Sequence, residues 1–297
     1  MKKVAIVSCN KWIGKLQEDI NLRDALIKIG VDAKIISWQQ PLDDSYDLLI
    51  IRSIWGYQNY YKEFKEWLMY LKRNNIKLVN NVEMILDNIM KDKQFRILQH
   101  NGISYIETLF FEYKDLANIT SINLTADKPF VIKPTISGSG ENTYLITDID
   151  NGLPNTINKN EIVEKYSPLL NNNEDGMIMV QPFIPEISNG EYSCIFIDGL
   201  LTHTMLRFPN TFHQKKRPYL LTNVPKSIID LAVKVESIPE YKNYLYMRID
   251  MVLVAGEARI MEVELADPDL LTKYIDDDNT RNNIIGTFAR KIERRIK

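Results

Sequence analysis

The sequence predicts an α/β (α+β) protein that opens with a mostly parallel α/β domain. Three observations lead there. Apolar runs alternate with helix-period segments over about the first 80 residues. A strand carrying a lysine, "KPFVIKP", runs into the small-residue loop Ser137-Gly138-Ser139-Gly140. A long hairpin, "YLYMRIDMVLVAGEARIMEVEL", turns near Ala255-Gly256 and carries its charges on alternate residues.

In chain order, "VAIVSC" (4–9) is a continuous apolar run, as in a strand covered on both faces. "INLRDALIKIG" (20–30) has helical spacing and stops at Gly30. "VDAKIISW" (31–38) and "YDLLIIRS" (46–53) read as strands two and three. "YYKEFKEWLMYLKRNN" (60–75) is an amphipathic helix, followed by the short strand "IKLVNN" (76–81). "MILDNIMKDKQFRILQHNGI" (84–103) reads as helix, break, helix. "INKNEIVEKYSPLLNNNEDG" (157–176) holds a helix and then a polar loop. "GMIMVQPFIP" (176–185) is a strand bent by its prolines. "EYSCIFIDGLLTHTMLRF" (191–208) is two strands about Asp198-Gly199, and residues 280–297 form a basic closing helix.

The bulk numbers narrow the function classes. The chain has 297 residues, with 37 Lys and Arg against 39 Asp and Glu, a formal charge of −2. No global field draws in nucleic acid or an anionic membrane, so any anion site must be local. The two cysteines, Cys9 and Cys194, have neither CxxC nor zinc spacing and read as reduced thiols. The first strand is too short for a signal peptide, and no apolar run reaches the ~18 residues of a membrane span. The expected location is cytoplasmic.

Charge chemistry concentrates in the long hairpin. Arg248 and Asp250 share one face of the outgoing strand, and Glu262 and Glu264 share one face of the return strand. Bringing those faces to the same side needs an odd-length loop or a bulge. Clustered carboxylates repel unless cations sit among them, and Mg2+ suits carboxylates, waters and substrate phosphates together. The competing reading is a solvated charged face. Walker A is absent: the Gly14-Lys15 pair has no glycine five residues before it. "GSGENT" (138–143) ends in threonine where the dinucleotide fingerprint has a glycine. HExxH and GxSxG are missing too.

In order along the chain, "FVIKP" with its small-residue loop, "VQPFIPEISNGEYS" and "RID…MEVEL" resemble the ATP-grasp superfamily, from about Asp92 to Pro268. The likeness is closer to glutathione-synthetase-like and D-alanine–D-alanine-ligase-like carboxylate–amine ligases. "IRSIWGY" (51–57) extends it weakly into the first domain. The resemblance implies an α/β domain at 1–85, a small lobe with a phosphate-covering loop at 86–185, and a C-terminal lobe with the metal hairpin at 186–297. ATP would be clasped between the two lobes.

The resemblance also implies residue roles. Lys93 would be the first phosphate lysine and Lys133 the second. Ser137, Gly138, Ser139 and Gly140 would cover the phosphates. Gln181, Pro182, Phe183 and Ile184 would hold adenine, and Glu191 the ribose. Arg248 would contact phosphate. Asp250, Glu262 and Glu264 would ligate Mg2+, with Mn2+ as an alternative. Glu264 departs from the family, where asparagine is common, and so does Gln181, where glutamate is common. Two readings stand for Arg52: a clamp on a substrate carboxylate, or a structural arginine capping the strand or stacking on Trp55. Two readings stand for Arg207 as well: a residue facing substrate or phosphate, which is favoured, or an exposed strand residue. The basic loop 212–219 either closes over the site or is merely solvated.

The implied activity joins a small carboxylic acid or amino acid to an amine through an acyl phosphate, releasing ADP and phosphate. The alternatives are a small-molecule kinase and a non-catalytic nucleotide-binding protein. A homodimer is an expectation from family likeness alone.

Overall fold

In the first sheet, β1 (Lys3–Ser8), β2 (Asp32–Ser37), β3 (Leu48–Ser53) and β4 (Leu78–Val79) pair in the order β2-β1-β3-β4. Every pairing is parallel. The continuous apolar runs have the expected cause, because both faces are covered. Val4, Ile6, Leu48 and Ile50 pack on α1 (Gln17–Lys28) and on the C-terminal helix. Ala5, Val7, Leu49 and Ile51 pack on α2 (Tyr61–Arg73) and α3 (Val82–Asn88). The computed structural model describes residues 1–43, 45–116, 119, 129–138, 140–147, 156–171, 175–208 and 216–297.

After α3 comes α4 (Lys91–His100), the second half of the expected broken helix. The second sheet joins β5 (Leu109–Glu112), β6 (Phe130–Pro134), β7 (Tyr144–Ile146), β8 (Thr156–Ile157) and β9 (Met177–Pro182) in the order β5-β9-β6-β7-β8. On β6, Phe130 and Ile132 enter a core with Ile162 and Tyr166 of α5 (Ile162–Tyr166). Val131 and Lys133 take the opposite, half-buried face.

The third sheet is antiparallel throughout. It contains β10 (Glu191–Ile197), β11 (Leu200–Arg207), β12 (Tyr219–Leu220), β13 (Tyr246–Val254) and β14 (Glu257–Glu264), in the order β12-β11-β10-β13-β14. One face, with Cys194, Phe196, Met247, Ile249 and Met251, packs on α6 (Lys226–Glu236). The other is divided. Ile195, Met205 and Tyr246 join the first-sheet core beneath α7 (Asp278–Arg295), and the rest is polar. Both cysteines are buried free thiols. Among the described residues, no helix is long and apolar enough to cross a membrane.

The helix pair after residue 82 packs against the third sheet. Met84 and Leu98 belong to the core of the third sheet, not that of the second. This pair closes the open edge of β14. Gln94 donates to Val263 O at 2.6 Å and accepts from Val263 N at 2.8 Å, as a neighbouring strand would. Asn88 does the same for Val263 O and the amides of Leu265 and Ala266. Gln94→Leu keeps the volume but orphans the buried Val263 N–H, while Asn88 still serves Val263 O. It should destabilise the protein by about 1–3 kcal/mol, read from urea unfolding.

Candidate active site

The turn at Ala255-Gly256 has φ of 51° and 84°, both positive, as a two-residue turn between twisted strands requires. From there Val254 pairs with Glu257, and a regular ladder would set Asp250 opposite Met261. Glu262 and Glu264 would then point into the apolar face against α6. The register shifts once, between Asp250 and Met251. Asp250 thereby opposes Glu262 and Arg248 opposes Glu264. The bulge at Met261 puts all four charges on one face.

The centre of that face is a closed ion network. Arg248 Nε lies 3.0 Å from Asp250 Oδ1, and its Nη2 lies 2.9 Å from Asp250 Oδ2 and 2.5 Å from Glu264 Oε1. Arg207, from β11, bonds Asp250 Oδ2 and Glu191 Oε2, both at 2.8 Å, and Ser193 Oγ at 2.7 Å. Ser193 in turn donates to Asp250 Oδ1 at 2.6 Å. Burial opposes the charge on Asp250, but Arg207 and Arg248 outweigh it and hold its carboxyl below the usual range. Burial raises Glu191, with Arg207 opposing. Glu264 is pushed up to about 8, first by burial and then by the facing Glu262 and Asp250.

Two lysines reach this face from the preceding lobe. Lys91, the first residue of α4, lies 3.1 Å from Glu262 Oε1 and donates to Ser137 O at 2.8 Å. Burial lowers the affinity of Lys133 for a proton, with Glu262 and Glu191 opposing and Lys91 adding to it. Among the described residues its ammonium has no ion-pair partner. Burial works against the charge of Glu262 as well, but Lys91 and Lys133 hold its carboxyl low.

Lys93 lies apart from this cluster. Its side chain is 44% exposed and pairs with the surface residue Asp87 at 3.0 Å, whereas Lys91 is 8% exposed and within the cluster. Residues two apart on a helix do not share a face. The other expected residues are placed as follows. Ser137 is buried, with its hydroxyl on Pro134 O. Gly138 lies 3.6 Å from Gln58, measured from an added Cβ, and Gly140 has φ +71°. Ser139 and residues 212–215 fall outside the described residues. Gln181 opposes Val131 on the Lys133 face of the sheet and donates to Thr108. Pro182 is exposed, and Phe183 and Ile184 are half-buried, where the chain passes from the second sheet to the third. Arg52 does not stack on Trp55. Its guanidinium lies 5.2 Å from the Tyr246 ring and 5.7 Å from that of Phe288. Ser193, Asn88 and Gln94 were not anticipated from the sequence, and neither was Lys91.

Hard oxygen donors suit Mg2+. Glu262 and Glu264 fit, since among the described residues each has one carboxylate oxygen without a hydrogen-bond partner. Asp250 does not fit while both its oxygens are held by Arg207, Arg248 and Ser193. Among the described residues, no three His, Cys, Asp or Glu side chains form a ready-made cage. The donor set suits an ion that brings phosphate oxygens with it.

His203 holds the segment beyond β14: its Nε2 lies 2.7 Å from Leu270 O. Burial pushes its pKa down to about 4. The unfolded chain takes up that proton near 6.5, so stability falls as pH drops from 6.5 toward 4. Between pH 7 and 5 this group should remove about 2 kcal/mol. Urea titrations of the wild type and His203→Gln should show that loss shrinking in the variant.

Comparison with known proteins agrees with this architecture. Residues 4–80 match the family described as the N-terminal domain of D-cycloserine synthetase DcsG. No curated protein matches the chain. Among solved structures, D-cycloserine synthetase DcsG superposes with a TM-score of 0.76 at 17% identity, over 99% of this chain and 100% of that one. D-alanine–D-alanine ligase from Bacillus anthracis, complexed with ATP, gives 0.65 at 14% identity, over 99% of each chain. The ATP-grasp ligase PsnB, with a precursor variant, Mg and ADP, gives 0.63 at 11% identity, over 100% of this chain and 99% of that one. The chain therefore has the ATP-grasp fold, and its first 80 residues are similar to the N-terminal domain of D-cycloserine synthetase.

Proposed function

We propose that the protein is an ATP-dependent carboxylate–amine ligase, forming an amide on a small amino acid or peptide and releasing ADP and phosphate. One observation carries this reading. Lys91, from the lobe before residue 186, pairs with Glu262 at 3.1 Å, and Lys133, from the same lobe, helps hold that carboxyl low, beside the Arg248–Asp250–Glu264 network. Cations and hard oxygen donors facing each other across two lobes are what a polyphosphate needs. The names of the similar structures, a synthetase and two ligases, support the same class.

In this reading residues 1–85 face the substrate, 86–185 supply the lysines and the covering loop, and 186–297 supply the hairpin. The substrate carboxylate attacks the γ-phosphorus, the bond to the ADP oxygen breaks, and an acyl phosphate forms. The amine then attacks its carbonyl carbon and phosphate leaves. Lys91, Lys133 and Arg248 offset the charge that builds between two anions. Glu262 and Glu264 would hold Mg2+, whose chemistry is to neutralise phosphate oxygens. Loop 137–140 excludes the water that would hydrolyse the acyl phosphate.

A hydroxylamine trap tests the reaction class. With Mg2+, ATP and single carboxylic or amino acids, one acid should yield a hydroxamate together with ADP. ADP with a stable phosphorylated product and no hydroxamate would replace the ligase with a kinase.

A further inference from the structure

Two buried polar atoms of opposite sense lie next to the carboxylate face without hydrogen-bond partners: Arg52 Nη1 and Asp267 Oδ2. Arg52 is only 3% exposed, at the C-terminal end of β3. Asp267 follows β14 by three residues. One side chain brings the two segments together, because the Tyr246 hydroxyl donates at 2.5 Å to Ile51 O and lies 3.0 Å from Ala266 O. The neighbours of both residues in sequence thus share one hydroxyl.

The corner is walled by rings. Arg52 lies over Tyr246, and Trp55 donates its indole N–H to Asp267 O at 3.3 Å. Trp12 stands edge-on to Trp55 at 5.7 Å. Burial pushes the Asp267 carboxyl up to about 7, with Arg52 the cation that most opposes it, yet the two form no ion pair within 4.0 Å. The nearest carboxylate partner of Arg52 is Glu18, at a long 3.8 Å. Glu18 is itself occupied with the amide and hydroxyl of Thr272, at 2.6 and 2.7 Å.

A buried guanidinium nitrogen and a buried carboxylate oxygen without hydrogen-bond partners are costly unless a ligand completes them. We propose that Arg52 and Asp267 form a two-point subsite for a free α-amino acid, Arg52 taking its carboxylate and Asp267 its ammonium. The chemistry narrows the class. An anion alone would leave Asp267 unpaired, and an amine alone would leave Arg52 unpaired. A small molecule carrying both groups on one carbon satisfies both at once. The assignment rests on the ligase reading: it makes Arg52 and Asp267 the specificity-determining pair for one of the two substrates.

The test is calorimetric titration of the whole protein, saturated with Mg2+ and a non-hydrolysable ATP analogue, with individual L- and D-amino acids. At least one should bind the wild type. Asp267→Asn, which preserves shape, and Arg52→Met should each weaken that amino acid at least tenfold while changing the nucleotide Kd less than twofold. Should Arg52→Met fail to fold, Asp267→Asn decides alone. Unchanged amino-acid affinity in Asp267→Asn overturns the subsite and leaves a structural pair bridged by water. A wild type that binds nucleotide but no amino acid overturns it too. Failure to bind nucleotide would instead strike at the ligase reading, and the amino-acid titration would still judge the subsite.

Discussion

Asp250→Ala should cost about 3–5 kcal/mol of stability, read as a lower urea midpoint, and should abolish ATP-dependent turnover. Asp250 is 3% exposed, and both its oxygens are taken up by Arg207, Arg248 and Ser193. Removing it leaves two guanidinium groups facing each other beneath the surface. A buried charge stripped of its partner is far more harmful than the intact pair is helpful. The cycle with Arg207→Met separates this from simple loss of packing. Removing Arg207 as well relieves the repulsion between the two guanidinium groups, so the double variant should be more stable than the sum of the single effects predicts. Strict additivity would show that Arg207 and Asp250 act independently, and that the network does not anchor the hairpin.

The hairpin was the part of the site most legible in the sequence. Strand alternation puts Arg248 with Asp250 and Glu262 with Glu264, and parity alone demands a bulge or an odd loop to unite them. The structure has that bulge at Met261. The open parallel sheet was legible for a similar reason, since runs such as "LLIIRS" are buried on both faces. What the sequence did not disclose is how distant segments meet. Asn88 and Gln94 look like ordinary polar helix residues, and nothing local marks them as substitutes for a missing strand beside β14. Arg52 shows the same limit. Its nearest aromatic in sequence, Trp55, was the natural stacking partner, but Tyr246 and Phe288 arrive from the far end of the chain.

The choice between two lysines in "KDKQ" turns on where a helix starts, and it yields the sharpest prediction for turnover. Lys91→Met should lower kcat for ADP release at least about 100-fold, the scale seen when one preorganised donor is removed from a developing anion. Lys93→Met should stay within about twofold of wild type, as surface substitutions do. The reason is geometric. The first turn of α4 begins at Lys91, and a two-residue step carries Lys93 around to solvent, where it pairs with Asp87. Lys91 also donates to Ser137 O, so its loss should loosen the covering loop and raise the nucleotide Kd as well as lower kcat. Thermal melts of both variants guard against a trivial cause, because Lys133 remains to face Glu262 and the fold should survive. If Lys93→Met is the inactive variant and Lys91→Met is silent, phosphate is held on the other face of α4, and the ion pair with Glu262 is purely structural.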